Sequence, residues 1–322
     1  MYRHPAPPRL SRRALLAGLC AAACSDRSPG RIGGHSMGTR WSLGAEGAGE
    51  THRRLIQDLL DQREAQFSHW RNDSALSRFN AHSGTGWFDA PAELVQAIDS
   101  LYRIANETDG VLDPTCAPLI HAWGFGPHRA GAPPPEPPVE TELTALRARC
   151  GWHHLEWRHK SPALRKRRPD LQLNVACIVE GFVLDELRPR LLHAGLENFL
   201  LELGGEVMAQ GQAPGGGFWR IGIQAPGRKH GESLQSLTLE NACAATSGSY
   251  REQRQIHGRR LNHLIDPRTG QPVCHNAVSV TVVDTSAARA DAMATALMIL
   301  GPEAGRSKAT ELGVNAFWVT EA

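Results

Sequence analysis

Apolar positions recur with two different periods along this 322-residue chain, and each period predicts its own kind of element. Residues 53–67 carry Leu55, Ile56, Leu59 and Leu60, and residues 92–108 carry Leu94, Val95, Ile98, Leu101 and Ile104. Spacings of three and four predict two amphipathic helices packed on a core. A short helix is expected over 141–149. Residues 173–187 read as a strand running into a helix through Gly181, with Asp185, Glu186 and Arg188 on its polar side. Strands are predicted over 34–43, 200–211, 219–224, 234–240, 242–246, 261–265, 277–283 and 317–319, and the loose alternation of 153–175 predicts a hairpin. Ala-rich 290–300 predicts a helix stopped by Gly301-Pro302. Strands and helices mixed without a regular βαβ alternation predict an α+β fold rather than a doubly wound sheet. Pro-rich 130–138 reads as a surface loop and is the best place for a break between subdomains.

Composition changes this picture little. Hydrophobic residues make up 41% and charged residues 21%, the balance of a soluble globular protein. A net charge of +2 gives no reason to expect nucleic acid as a partner. The cluster Arg165-Lys166-Arg167-Arg168 lacks interleaved aromatics and reads as the solvated face of a hairpin.

The first 24 residues stand apart. Arg12-Arg13 precede an apolar run from Ala14 to Ala23. A basic start, roughly ten apolar residues and small residues at their end describe an export signal. A membrane span would need about 20. The paired arginines point to the twin-arginine route. Ala21-Ala22-Ala23-Cys24 reads either as an A-x-A cleavage site or as a loose lipobox that leaves lipid-modified Cys24 as the new N-terminus. The expectation is an exported, periplasmic protein, free or lipid-anchored to the membrane. Cys116, Cys150, Cys177, Cys243 and Cys274 follow, widely spaced and without a C-x-x-C pair, which argues against a zinc site. Buried free thiols are the default, with one or two disulfides the alternative in an oxidising compartment.

Candidate chemistry centres on the last third of the chain. Asp291 and Thr295 are four apart on the Ala-rich helix and share one face. A carboxylate and a hydroxyl are hard oxygen ligands suited to Mg²⁺ or Ca²⁺. The same pair also arises as an acid near a helix start and a Thr folded against the preceding turn. His263 ends a short apolar strand that stops at Asp266-Pro267 and turns over Thr269-Gly270. An imidazole with an ordinary pKa near 6.5 suits general-base work, and a lone His after a strand is equally a hydrogen-bonded surface residue. Trp70 is either a stacking platform or a partly buried aromatic. Neither G-x-G-x-x-G nor G-x-x-x-x-G-K-[ST] occurs, so no generic phosphate loop is present.

Several stretches, in order, resemble the motifs of the ApbE family of FAD:protein FMN transferases. They are Met37-Gly38-Thr39, the run from Phe67 to Asn80, Asp109-Gly110-Val111-Leu112-Asp113-Pro114-Thr115, and Trp123-Gly124-Phe125-Gly126-Pro127. Leu201-Glu202-Leu203-Gly204-Gly205, Thr246-Ser247-Gly248-Ser249-Tyr250, His263 to Gly270, and Ala290 to Leu297 complete the set. The resemblance spans roughly 33–320 and implies one domain over 33–322, built from duplicated α+β units related to the T-fold. It implies Mg²⁺-dependent transfer of FMN from FAD to a Thr or Ser hydroxyl of a target redox protein, with release of AMP. By the same resemblance Asp291, Thr295 and the backbone carbonyl of Val179 hold the magnesium. His263 is the base, and Met37, Trp70, Val111, Leu112, Asp113, Glu180 and Ile265 hold FAD.

The match departs at Asn174-Val175-Ala176-Cys177-Ile178-Val179-Glu180-Gly181, where most relatives read Asp-Leu-Gly-Gly-Ile-Ala-Lys-Gly, and at Ser249, where Asp is usual. Ala and Cys in place of Gly narrow the accessible backbone conformations. Three readings follow: an exported FMN transferase, a non-catalytic FAD-binding or assembly factor, and a metal-dependent FAD pyrophosphatase in which water replaces the protein hydroxyl.

Overall fold

The computed structural model describes residues 30–127, 135–224, 233–256 and 258–321. The expected export signal over 1–24 and most of the Pro-rich loop lie outside the described residues. Residues 34–43 form a hairpin rather than the single strand expected. Met37 and Gly38, with φ of 53° and 74°, fold β1 (Arg31–Ser36) back on β2 (Thr39–Ala45). A two-residue loop with both φ positive matches the twist of the strands it joins. Met is an uncommon residue there, so the sequence carried no turn signal.

The helix α1 (Glu50–Phe67) buries Ile56, Leu59, Leu60 and Phe67. Ser74 caps α2 (Ala75–Ala81), its hydroxyl accepting from the Ser77 N–H at 2.9 Å. After β3 (Trp87–Asp89), α3 (Ala92–Glu107) buries the apolar stripe read from the sequence. The short helices α4 (Ala117–Ala122) and α5 (Glu140–Arg147) precede β4 (Leu155–Arg158) and β5 (Ala163–Lys166), which pair with β3 in a small sheet.

The next element, α6 (Ala176–His193), starts earlier than Gly181, and 173–175 is not a strand. Asn174 explains why. Its N–H donates to the Pro114 carbonyl at 2.7 Å and its side chain accepts from the Ala176 N–H at 2.9 Å, so it caps a helix instead of joining a ladder.

Residues 200–211 likewise divide into β6 (Phe199–Leu203) and β7 (Glu206–Gln210), because Gly204 and Gly205 both take positive φ. A hairpin of β8 (Trp219–Gln224) and β9 (Ser233–Leu239) follows, then β10 (Cys243–Gly248). The single strand expected over 261–265 is interrupted. β11 (Gln253–Ile256) pairs with β12 (Arg259–Asn262), and β13 (Ile265–Asp266) pairs with β14 (Gln271–Pro272). The chain ends with β15 (Ala277–Asp284), α7 (Ala287–Leu300), α8 (Pro302–Glu311) and β16 (Asn315–Thr320).

Seven strands form one antiparallel sheet in the order β1-β2-β6-β7-β10-β15-β16. Helices α1, α3, α6 and α7 cover one face, and the β8–β9 hairpin packs Trp219, Ile221 and Leu239 against the other. The fold is α+β, as the sequence pattern predicts. A smaller cluster of Leu119, Trp123, Phe125, Leu143 and Ile265 joins α4, α5 and β13. Buried Arg63 ties three helices together, pairing with Glu186 at 2.6 Å and Glu93 at 3.1 Å. The five cysteines among the described residues are free thiols. Burial pushes Cys150, Cys177 and Cys243 up to about 12, so none of these is a thiolate near neutral pH.

The helix α7 is buried on nearly every side, and its alanines let α6 approach closely. The contact is tightest at Gly181, where an added Cβ would stand 2.2 Å from the Ala287 carbonyl oxygen. One helical turn on, Asp185 caps α7 from α6. Its carboxylate accepts from the N–H groups of Ala287 and Ala288 at 2.9 and 3.0 Å and from the Ser286 hydroxyl at 2.7 Å. A carboxylate there satisfies free N–H groups and complements the helix dipole. Asp185→Ala should therefore lower unfolding free energy by about 1–2 kcal/mol, the usual scale of a lost cap. Urea denaturation checks this, and an unchanged midpoint would show that Ser286 caps α7 unaided.

Candidate active site

The α6–α7 junction brings together the residues that the sequence placed around a cation. The Gly181 N–H donates to Asp291 Oδ2 at 3.1 Å, which fixes the Asp291 carboxylate beside the first turn of α6, where Val179 and Glu180 lie. Thr295 follows one turn along α7, its hydroxyl oxygen 2.8 Å from that of Ser247 on β10. Ala176 and Cys177 also belong to that first turn and are helical. Helical backbone needs no Gly, so these departures from the usual motif leave the local geometry intact.

Two further motifs converge on the same place. A Cβ at Gly204 would meet Glu206 Oε2 at 3.2 Å, Glu180 Cγ at 3.3 Å and Thr39 Cγ2 at 3.4 Å. The Met37–Thr39 turn, the Gly204-Gly205 turn and Glu180 are thus neighbours, and the absent side chain of Gly204 lets them meet. Met37 keeps its positive φ beside this junction, a sparsely populated conformation of the kind found at ligand clamps.

The electrostatics are those of an acidic site short of positive charge. Burial, then Glu206 and Glu180, raise the Asp291 pKa well above its ordinary value against the Gly181 hydrogen bond. Glu180 is pushed up to about 7 by burial and by Glu206, and burial also raises Glu206 despite Arg251. Three ionised carboxylates beside one guanidinium would leave a deficit equal to the charge of one divalent cation. Asp291 and Thr295 offer a carboxylate and a hydroxyl, hard oxygen donors that fit such an ion, among acids that need a cation to stay ionised. Among the described residues no three His, Cys, Asp or Glu side chains form a metal cluster.

The other expected residues contribute differently. Val111, Leu112 and Ile265 have buried side chains, so anything they offer a ligand is backbone. The Leu112 carbonyl already accepts from Trp152 Nε1 at 3.0 Å. Asp113 caps a short turn, its Oδ1 accepting from the Thr115 N–H at 2.8 Å and the Thr115 hydroxyl at 2.6 Å. Trp70 is 57% exposed, enough for a planar ligand to stack on it, with the His69 ring 5.2 Å away. His263 lies 3.4 Å from the Glu252 carbonyl through Nδ1. A carbonyl only accepts, so in that contact Nδ1 carries the proton and Nε2 the lone pair. Burial depresses the His263 pKa, with Arg251 adding to the effect against Glu252. Asp266 fixes its turn, accepting from Arg268 and, through its carbonyl, from the Gly270 N–H at 2.7 Å.

Sequence reasoning missed Glu206, Arg251 and Ser247 as members of this site. Glu206 reads as an ordinary polar residue after a glycine turn, yet it is 4% exposed. Only the pairing of β6, β7 and β10 brings it to α7.

Comparison with known proteins identifies the family. The model of the ApbE family matches residues 37–318. The FAD:protein FMN transferase of Klebsiella pneumoniae is 33% identical over 317 residues, 95% of this chain and 89% of that protein. That of Escherichia coli is 33% identical over 294 residues, covering 89% and 83%. Among solved structures, the apo Pseudomonas stutzeri flavinyl transferase ApbE superposes with a TM-score of 0.80 at 33% identity, covering 91% of each chain. The Vibrio cholerae flavin transferase ApbE gives 0.77 at 32% identity, covering 91% and 93%.

Proposed function

The chain belongs to the ApbE family, and from that membership and the α6–α7 junction we propose that it transfers FMN from FAD to a hydroxyl of a target protein. It is an enzyme of the flavinyltransferase class. The finer reading is Mg²⁺-dependent transfer to a Thr or Ser of a redox protein, with AMP released. The observation that carries it is the Gly181–Asp291 hydrogen bond, which sets two separate motifs side by side. Asp291, the Thr295 hydroxyl and the Val179 carbonyl would hold the cation, which supplies charge neutralisation at the pyrophosphate.

This chain's own residues do the rest. Trp70 offers its exposed ring to one ring system of FAD, and backbone of Met37, the Val111–Asp113 run and Ile265 borders the ligand. Glu180 stands beside the Gly204 turn and Thr39. The acceptor oxygen attacks the phosphorus bearing the riboflavin moiety, and the pyrophosphate P–O bond breaks. AMP leaves with the bonding pair, and the hydroxyl proton passes to His263 Nε2. The leader read from the sequence supports action outside the cytoplasm, on a periplasmic or membrane-bound acceptor, with lipid attachment at Cys24 as the anchored form.

His263→Ala should lower turnover by about 10²- to 10⁴-fold, the usual range for a lost general base, with a smaller effect on FAD affinity. A base works only when deprotonated, and this one has a pKa below its ordinary 6.5. Turnover should therefore stay level through neutral pH and fall only below that value. An acid limb centred above it would remove His263 from the role. Incubation with FAD and Mg²⁺ but no acceptor tests the class of reaction. Little AMP is expected without a protein hydroxyl, and sustained AMP release would mean a pyrophosphatase instead.

A further inference from the structure

Arg251 lies just beyond the Thr246–Tyr250 segment, and neither the sequence pattern nor the family resemblance assigned it a role. Its Nη1 approaches the Gly204 carbonyl at 3.4 Å and Glu206 Oε1 at 3.5 Å. Its Nη2 is buried and makes no hydrogen bond of ordinary geometry among the described residues, where the Tyr250 hydroxyl is the acceptor that pairs loosely with the guanidinium. A buried donor left with so weak an acceptor is unfavourable, and a guanidinium cannot shed its proton to escape this. The position gives the open donor meaning. The Arg251 charge acts on Asp291, Glu180 and His263 alike. On the function proposed above, the reacting phosphates meet both the cation ligands and the base, so they pass near this guanidinium.

Resting on the function proposed above, we infer that Arg251 is a catalytic residue whose Nη2 donates to a non-bridging oxygen of the FAD pyrophosphate. Glu206 holds the other arm of the fork in place, and a cation held by Asp291 and Thr295 would help to neutralise the same group. As the P–O bond breaks, negative charge gathers on the departing AMP phosphate and the guanidinium opposes it. Arginine suits this work because its planar fork binds carboxylate and phosphate together.

The test compares ligands that differ only in phosphate. Binding of ADP and of adenosine, each with Mg²⁺, is measured on wild type, Arg251→Gln and Arg251→Lys. Arg251→Gln should weaken ADP by about 10- to 100-fold, the scale of a charged hydrogen bond, and leave adenosine unchanged. Arg251→Lys keeps the charge without the fork and should fall between. The Tm rise on adding Mg²⁺ should persist in Arg251→Gln, because Asp291 and Thr295 remain. Equal weakening of ADP and adenosine, or none of either, would overturn the inference and leave Arg251 as a brace for the Gly204 turn. If Arg251→Gln does not fold, Arg251→Lys decides by the same comparison. FMN transfer by wild type with an unchanged ADP preference in the variants would sink this inference alone. Absence of transfer in wild type, with ADP selectively weakened in the variants, would sink the transferase reading and keep the phosphate contact.

Discussion

Asp291→Ala is expected to abolish FMN transfer while leaving the metal-free protein at least as stable as before. The carboxylate is buried beside Glu206 and Glu180, so without a cation it is desolvated and repelled. Its main favourable contact is a single hydrogen bond from Gly181. Removing a buried, poorly balanced charge is often neutral or stabilising. The catalytic effect runs the other way. Losing the only carboxylate among the proposed cation ligands removes several kcal/mol of charge stabilisation at the pyrophosphate, roughly a thousandfold or more in rate. The variant should also lose the Tm rise that Mg²⁺ gives the wild type. A large drop in metal-free Tm would show instead that Asp291 serves mainly to hold the helices together.

The same acids set a pH dependence with a definite sign. Folded-state pKa values raised above the unfolded ones mean that the folded protein binds more protons. That stability is fully present below the unfolded values and is lost as pH rises through the folded ones. For Glu180 the window runs from its ordinary 4.5 to about 7, and Asp291 shifts in the same direction. Metal-free protein should lose stability across that window, and Mg²⁺, by replacing the protons, should flatten the decline.

Gly181→Ala should be the most disruptive single substitution on the helical face. Helix propensity alone predicts the opposite, since Ala is favoured over Gly by about 1 kcal/mol in a helix interior. Packing decides the sign. The new Cβ would stand 2.2 Å from the Ala287 carbonyl oxygen and 2.5 Å from its carbon, and main chain cannot swing aside. The helices must separate, which costs about 1–3 kcal/mol for ordinary overpacking and more against backbone. Separation also moves Asp291 and Thr295 away from Val179, so cation binding should fail in whatever protein still folds. Thermal melts with and without Mg²⁺ check both parts. A wild-type Tm with an intact Mg²⁺ shift would mean that α6 and α7 are not locked at Gly181.

Much of this was legible in the sequence, for identifiable reasons. The stripes in α1 and α3 follow the helical period because each helix buries one face, and the α+β class followed from the mixture of elements. Asp291 and Thr295 were legible as a pair because four residues make one helical turn. The three hairpin-like errors share a cause. At Met37-Gly38, Gly204-Gly205 and His263-Leu264 the apolar pattern continues through a break in the strand, and periodicity does not register the break. The reading of 173–175 as a strand failed because Asn174 bonds to Pro114, 60 positions away in sequence. Glu206 and Arg251 escaped notice for the same kind of reason: strand pairing brings them to the site, and local composition does not. The departures at Ala176 and Cys177 looked like a threat to a flexible turn, and the segment is instead the first turn of a helix that Ala suits.

The most direct test follows both products of one reaction. The protein without residues 1–24, FAD, Mg²⁺ and an acceptor domain bearing an Asp-Gly-Ala-Thr-type segment are incubated together. Intact mass of the acceptor and AMP in solution are measured over time. A mass gain of one FMN, matched mole for mole by AMP and absent in Asp291→Ala, is the result predicted here. FAD held tightly while neither adduct nor AMP forms would contradict it and identify a protein that binds the dinucleotide without dividing it.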